Sequence, residues 1–177
     1  MKIALVIGHH KISKGAYSTH LKTSEWDFYK DVVSRIRTCP DVYTHNILDG
    51  GYTSRIKATS KKLNKGNYDL VISLHFNSAG DVRANGCETL YYFNSTKGKK
   101  YAQQFSETVH EWTGIKLRHN GLKALANKND RGFAMVYYPK APTILIEPFF
   151  GSNISDCTKI EGAEKMALIL DDFISKR

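Results

Sequence analysis

The stretch Asp69-Leu70-Val71-Ile72-Ser73-Leu74-His75-Phe76-Asn77-Ser78 decides the fold. Its run of apolar, β-type residues, interrupted only by Ser73, reads as a strand buried on both faces, the kind found in parallel sheets covered by helices. In such sheets ligands gather in the crevice beyond the carboxyl ends of the strands, which is where His75 and Asn77 emerge. A lone histidine at a strand end is ordinarily a structural group bonded to a loop, so His75 gains meaning only from its neighbours. Two further runs supply them. Lys2-Ile3-Ala4-Leu5-Val6-Ile7-Gly8-His9-His10 ends in histidines, behind a glycine that lets the backbone turn sharply. Pro142-Thr143-Ile144-Leu145-Ile146-Glu147-Pro148-Phe149-Phe150 ends in a carboxylate. A core strand costs least when neutral residues follow it, yet here each apolar run leads to a metal- or proton-competent side chain.

Between these strands the pattern alternates. Lys11 to Thr23 is polar and contains Gly15, and reads as a loop over the first strand end. Ser24 is a helix N-cap with Asp27 three residues on, and Tyr29, Val32, Val33 and Ile36 follow at helical spacing, giving about four turns that end before Pro40. Glu25 lies in the first turn, where the helix dipole alone explains a carboxylate. The loop that leaves His9 also brings it within reach of the strand ends. Val42 to Leu48 reads as a strand, Asp49-Gly50 as a turn, and Thr53 to Asn64 as a basic helix with Ile56, Thr59, Ser60 and Leu63 facing inward. Arg55 on that helix reads as structural. Cys87 to Phe93 is a further strand, in which Glu88 is expected at an exposed edge.

Tyr101, Phe105, Val109 and Trp112 mark a long amphipathic helix. Gly114 to Arg131 reads as an irregular basic segment, and its Lys123 is a candidate substrate contact. Phe133 to Tyr138 reads as a strand, and Ile160 to Ile174 as one closing helix. Strands alternating with helices predict a single α/β domain over residues 1–177, built on a twisted, mostly parallel sheet with helices on both faces.

Charge and cysteines narrow the function classes. Lysine plus arginine outnumber aspartate plus glutamate by 26 to 17, a net charge of +9 that draws the chain toward polyanions such as nucleic acid, anionic lipid or bacterial wall polymers. Three widely spaced cysteines without a CxxC argue against a disulfide framework or a thiolate zinc knuckle. No run approaches the about 20 apolar residues of a membrane span. The first strand ends in His-His rather than a small-residue cleavage site, so no signal peptide is expected and synthesis in the cytosol is.

Two imidazoles and a carboxylate, with a water in the fourth position, are the donor set of a catalytic zinc site. Such an ion acidifies water and polarises a carbonyl. A further carboxylate must then move the water's proton to the leaving nitrogen. Glu147 is the natural candidate, because the end of a buried strand desolvates it and raises its pKa toward the working range. No nucleophile elbow, phosphate loop or HExxH sequence competes.

His9 after a strand and glycine, Gly15-Ala16, Ser24-Glu25 opening a helix, Ser73-Leu74-His75-Phe76-Asn77-Ser78 and Leu145-Ile146-Glu147-Pro148-Phe149-Phe150 together resemble the zinc-dependent N-acetylmuramoyl-L-alanine amidases of the type 3 family. The resemblance spans nearly the whole chain in the family's order, although the usual aspartate before the first Gly-His is replaced by Ile7. It implies a six-stranded sheet flanked by helices, and hydrolysis of the amide between N-acetylmuramic acid and the L-alanine of the stem peptide. It implies Zn2+ held by His9, Glu25 and His75, with Glu147 catalytic and motif alignment favouring His9 over His10. Asn77 joins Lys123 as a candidate substrate contact. Peptidoglycan is then the expected partner of a monomer, with the +9 charge holding it on anionic wall polymers. A phage or prophage endolysin, released to the wall through a holin, is the expected setting. A zinc peptidase on another substrate and a nucleic-acid-binding module are the rival readings, the latter supported by charge but not by an aromatic RNA-binding strand or a dense basic helix.

Overall fold

A computed structural model describes residues 1–176. Its framework is a six-stranded sheet of β1 (Ile3–Ile7), β4 (Asp41–Thr44), β5 (Leu70–Leu74), β6 (Cys87–Tyr92), β7 (Leu117–Leu125) and β8 (Thr143–Glu147) in the order β4-β1-β5-β8-β6-β7. All the pairings are parallel except β6 with β8. A two-stranded hairpin, β2 (Tyr17–Ser18) with β3 (Thr23–Ser24), stands apart in the loop after β1. The helices are α1 (Glu25–Arg35), α2 (Tyr52–Leu63), α3 (Thr96–Thr113), α4 (Phe133–Tyr137), α5 (Ile154–Ile160) and α6 (Ala163–Ser175).

Strand alternation divides the core into two layers. Ile3, Leu5, Ile7, Leu70, Ile72, Leu74, Ile144 and Ile146 face α1, α3, α5 and α6, while Ala4, Val6, Val71 and Leu145 face α2 and α4. The expected α/β sheet with helices on both faces is therefore present. The adjacent strands β1, β5 and β8 run in the same direction, so Gly8, His75 and Glu147 leave the sheet at one edge. The ladder continues past the strands there: Gly8 N–H donates to the Leu74 carbonyl at 3.0 Å and His75 N–H to that of Ile146 at 3.2 Å.

Several sequence expectations are corrected. Phe133 to Tyr138 is not a strand: both neighbours of β8 are taken by β5 and β6, so Gly132, at φ +90°, turns the chain into α4, which buries Phe133, Ala134, Met135 and Val136 under the sheet. Gly114 to Arg131 is not irregular throughout. It contains the edge strand β7, whose open side permits polar residues and whose bulge against β6 holds His119, Asn120 and Gly121 at positive φ. The strand expected to reach Leu48 stops at Thr44, since the Asn46 side chain caps a short 3₁₀ turn over Ile47–Asp49. The closing helix is broken into α5 and α6 at Glu161 and Gly162, both at positive φ. Glu88 is buried, not at an exposed edge, because β7 covers β6 on its outer side.

Ile72 sits at the centre of the sheet with no exposed surface. Ile72→Ala should lower stability by about 2–5 kcal/mol in a urea titration. A loss below about 1 kcal/mol would mean that the central strand is not the core of the domain.

Candidate active site

The sharp exit from β1 is built by sterics. A Cβ at Gly8 would overlap the His75 imidazole and lie 2.6 Å from the Leu74 carbonyl, so only glycine lets the ring lie across the strand end. The next residue, His9, is held at φ +64°, a left-handed conformation that non-glycine residues avoid unless the surroundings impose it. Gly15 then brings the loop over the ring, since a Cβ there would meet His9 Cδ2 at 2.6 Å and Glu25 Oε1 at 2.9 Å.

Glu25 opens α1 directly after its cap, where the Ser24 hydroxyl accepts from Asp27 N–H. Its Oε1 accepts from Ala16 N–H at 2.9 Å. That leaves Oε2 facing His75 Nδ1 at 3.1 Å and His9 Nε2 at 3.2 Å. Three donors, from just beyond the ends of β1 and β5 and from the start of α1, thus lie within 4.8 Å of one another. His10 points elsewhere, its Nδ1 accepting from Ile12 and Ser13 N–H within its own turn. Arg55 is likewise spent on structure, donating to the Gly50 carbonyl at 2.7 Å.

The electrostatics suit a cation. Burial opposes ionisation of Glu25, yet the hydrogen bond with His75 and the close approach of both imidazoles bring its pKa down to about 2. Burial lowers the His75 pKa against the pull of Glu25, favouring the neutral imidazole that a metal needs. His9 Nε2 is buried without a hydrogen-bond partner, although it lies near Glu25. A tetrahedral zinc ion with bonds of about 2.0–2.1 Å sets its donors about 3.3 Å apart. The two distances to Glu25 match that spacing, so these residues fit such an ion.

Across the cleft stands Glu147, the last residue of β8. Burial and the nearby charge of Glu88 push its pKa up to about 7, against the opposing charges of Lys123 and Arg131. Its Oε2 accepts from Asn77 Nδ2 at 2.8 Å, and the same amide group donates to Glu88 Oε1 at 3.0 Å. The cleft, about 520 Å³, is walled by His9, Glu25, His75, Asn77 and Glu147 on one side and by Tyr52, Lys128 and Arg131 beyond them. Asp130 also lines the cleft, and its Oδ2 accepts from Ala126 and Asn127 N–H. Lys123 lies exposed on β7 and acts on Glu147 through its charge. Sequence reasoning missed Tyr52 and misread Glu88, whose position inside an apolar strand was itself the signal of a buried partner.

The sequence model of the Amidase_3 family, described as N-acetylmuramoyl-L-alanine amidase, matches residues 3–173. The chain belongs to this family. A curated amidase, N-acetylmuramoyl-L-alanine amidase LytC of Bacillus subtilis (strain 168), is 31% identical over 97 residues, 54% of this chain but only 18% of the relative's length. Among solved structures, the catalytic domain of the CD27L endolysin targeting Clostridia difficile superposes with a TM-score of 0.78 at 25% identity, covering 100% of this chain and 98% of that one. An amidase structure from Neisseria meningitidis gives 0.73 at 26% identity, over 99% and 94%. The amidase fold thus extends along the chain end to end.

The raised pKa of Glu147 has a consequence for stability. Between its ordinary value of 4.5 and the folded value of about 7, the folded chain keeps a proton that the unfolded chain releases, so stability falls as pH rises through that window. In metal-free protein, Glu147→Gln should therefore be stabilising by up to about 3 kcal/mol at pH near 8 and neutral at pH near 4. An equal effect at both pH values in urea titrations would contradict a buried, proton-holding Glu147.

Proposed function

We propose that the chain is a zinc-dependent peptidoglycan amidase that hydrolyses the bond between N-acetylmuramic acid and the L-alanine of the stem peptide. The observation that carries this reading is the convergence of His9 Nε2, Glu25 Oε2 and His75 Nδ1 beside a proton-holding Glu147 in one cleft. His9, Glu25 and His75 would hold the ion, which supplies Lewis-acid chemistry for polarising a carbonyl and acidifying water.

The chain's own residues account for the proton traffic. Ionised Glu147 takes a proton from the attacking water as the C–O bond forms at the lactyl carbonyl. Protonated, it returns that proton to the amide nitrogen as the C–N bond breaks, releasing a lactyl carboxylate and a free L-alanine amine. A group with a pKa near 7 does both at neutral pH. Asn77 has both amide hydrogens and its carbonyl engaged within the protein, so its part is to hold Glu147 rather than to meet the substrate. Lys123 and Arg131, facing the same carboxylate, meet the acidic groups of the stem peptide.

The full-length likeness to the CD27L catalytic domain supports an endolysin role, and the +9 charge supports retention on an anionic wall. No helix among the described residues is long and apolar enough to cross a membrane.

His75→Ala should lose zinc, whereas Glu147→Gln should keep zinc and lose turnover on purified cell wall by about 100-fold or more. Mass analysis of the wild-type digest should show intact stem peptides with an L-alanine amino terminus. Zinc and activity retained in both variants, or cleavage within the stem peptide, would refute the reading.

A further inference from the structure

Glu88 is a carboxylate that the proton transfers above do not use. It is 3% exposed and pairs with Glu147 directly across the antiparallel β6–β8 ladder. Like charges directly opposed in a sheet repel, and buried ones are tolerated only with partners. Asn77 is the first partner. Its backbone is locked by its N–H to the Phe149 carbonyl at 2.9 Å and by Gly151 N–H to its own carbonyl at 2.8 Å. Ser78 N–H donates to its Oδ1 at 2.9 Å, which fixes the amide with Nδ2 toward the carboxylates. The two hydrogens of Nδ2 are then divided, one to Glu88 Oε1 and one to Glu147 Oε2. Arg118 is the second partner. Its Nε lies 3.5 Å from Glu88 Oε1 and has no hydrogen bond of its own, while the guanidinium sits 5.0 Å from the Phe150 ring.

We propose that Glu88 is a positioning residue for the amidase reaction: through the Asn77 amide it orients Glu147, and its charge, moderated by Arg118, strengthens Glu147 as a base. The inference rests on the reading of Glu147 as the proton carrier. The charged groups facing Glu147 are Glu88 from β6, Lys123 from β7, Arg131 from the loop before α4 and Glu25 from the start of α1. Of these, Glu88 alone shares a hydrogen-bond donor with it. A plain Glu88–Arg118 ion pair would leave the doubly donating amide unexplained.

The two ends of this chain act with opposite sign. Glu88→Gln keeps an acceptor for Asn77 but removes the negative charge, so Glu147 should ionise at lower pH and be a weaker base. Arg118→Gln removes the cation that moderates Glu88, so Glu147 should ionise at higher pH. In zinc-loaded enzyme acting on purified peptidoglycan, the acid limb of kcat should move down in Glu88→Gln and up in Arg118→Gln, each by about half a pH unit or more. Zinc content should stay at the wild-type level and KM should change less than about two-fold. A purely structural role would lower stability in both variants without moving the limb. An unmoved limb in both, or shifts in the same direction, overturns the proposal. Carbon-13 NMR titration of the Glu147 carboxyl in zinc-loaded Glu88→Gln gives an answer independent of turnover. A lowered midpoint supports the coupling and an unchanged one overturns it, even if Glu147→Gln were to keep full activity and so end the proton-carrier reading.

Discussion

One carboxylate oxygen, Oε2 of Glu25, lies 3.1 and 3.2 Å from two imidazole nitrogens, and the layout of the site follows from that meeting. The imidazoles come from the ends of adjacent parallel strands, and the carboxylate comes from the helix that the intervening loop delivers. A buried anion between two half-buried rings is costly unless a cation or protons join it. The backbone concessions around it, glycine at position 8, His9 at positive φ and Gly15 against both His9 and Glu25, are confined to the residues that bring these three groups together.

The cleft pushes the pKa values of two carboxylates in opposite directions by environment. Glu25 has imidazoles and a backbone N–H around it and stays ionised, with a pKa of about 2. Glu147 faces another carboxylate at the end of a buried strand, and its pKa rises to about 7. Titratable groups pushed apart in this way suit the proposed division between a charge that binds and a group that moves protons. The reversed direction of β6 creates the second environment, because it sets Glu88, near the start of one strand, beside Glu147 at the end of another.

The framework was legible because β1, β5 and β8 are dominated by short apolar, β-branched-rich runs, the pattern of strands buried on both faces. Ser24 likewise announced α1 through its capping chemistry. Elements with weaker patterns were misread. β7 carries polar residues because one of its sides is open, and its bulge interrupts any alternation. The run Phe133 to Tyr138 is too short for periodicity to separate helix from strand, and only the occupied neighbours of β8 decide it. In the site, His75 and Glu147 stood out as polar residues ending apolar runs. Glu25 was harder to see, since a helix dipole explains an acidic first turn equally well and only the fold closes the distance to the histidines. Glu88 was the reverse case: its isolation in an apolar strand looked like an edge until β7 was found beyond it.

The central claim is that one divalent ion sits among His9, Glu25 and His75. Anomalous diffraction at the zinc absorption edge, from crystals of zinc-loaded protein, tests it most directly. The account predicts a single strong peak bonded to His9 Nε2, Glu25 Oε2 and His75 Nδ1 at about 2.0–2.2 Å. A peak located elsewhere, or no peak in the cleft at saturating zinc, would contradict it.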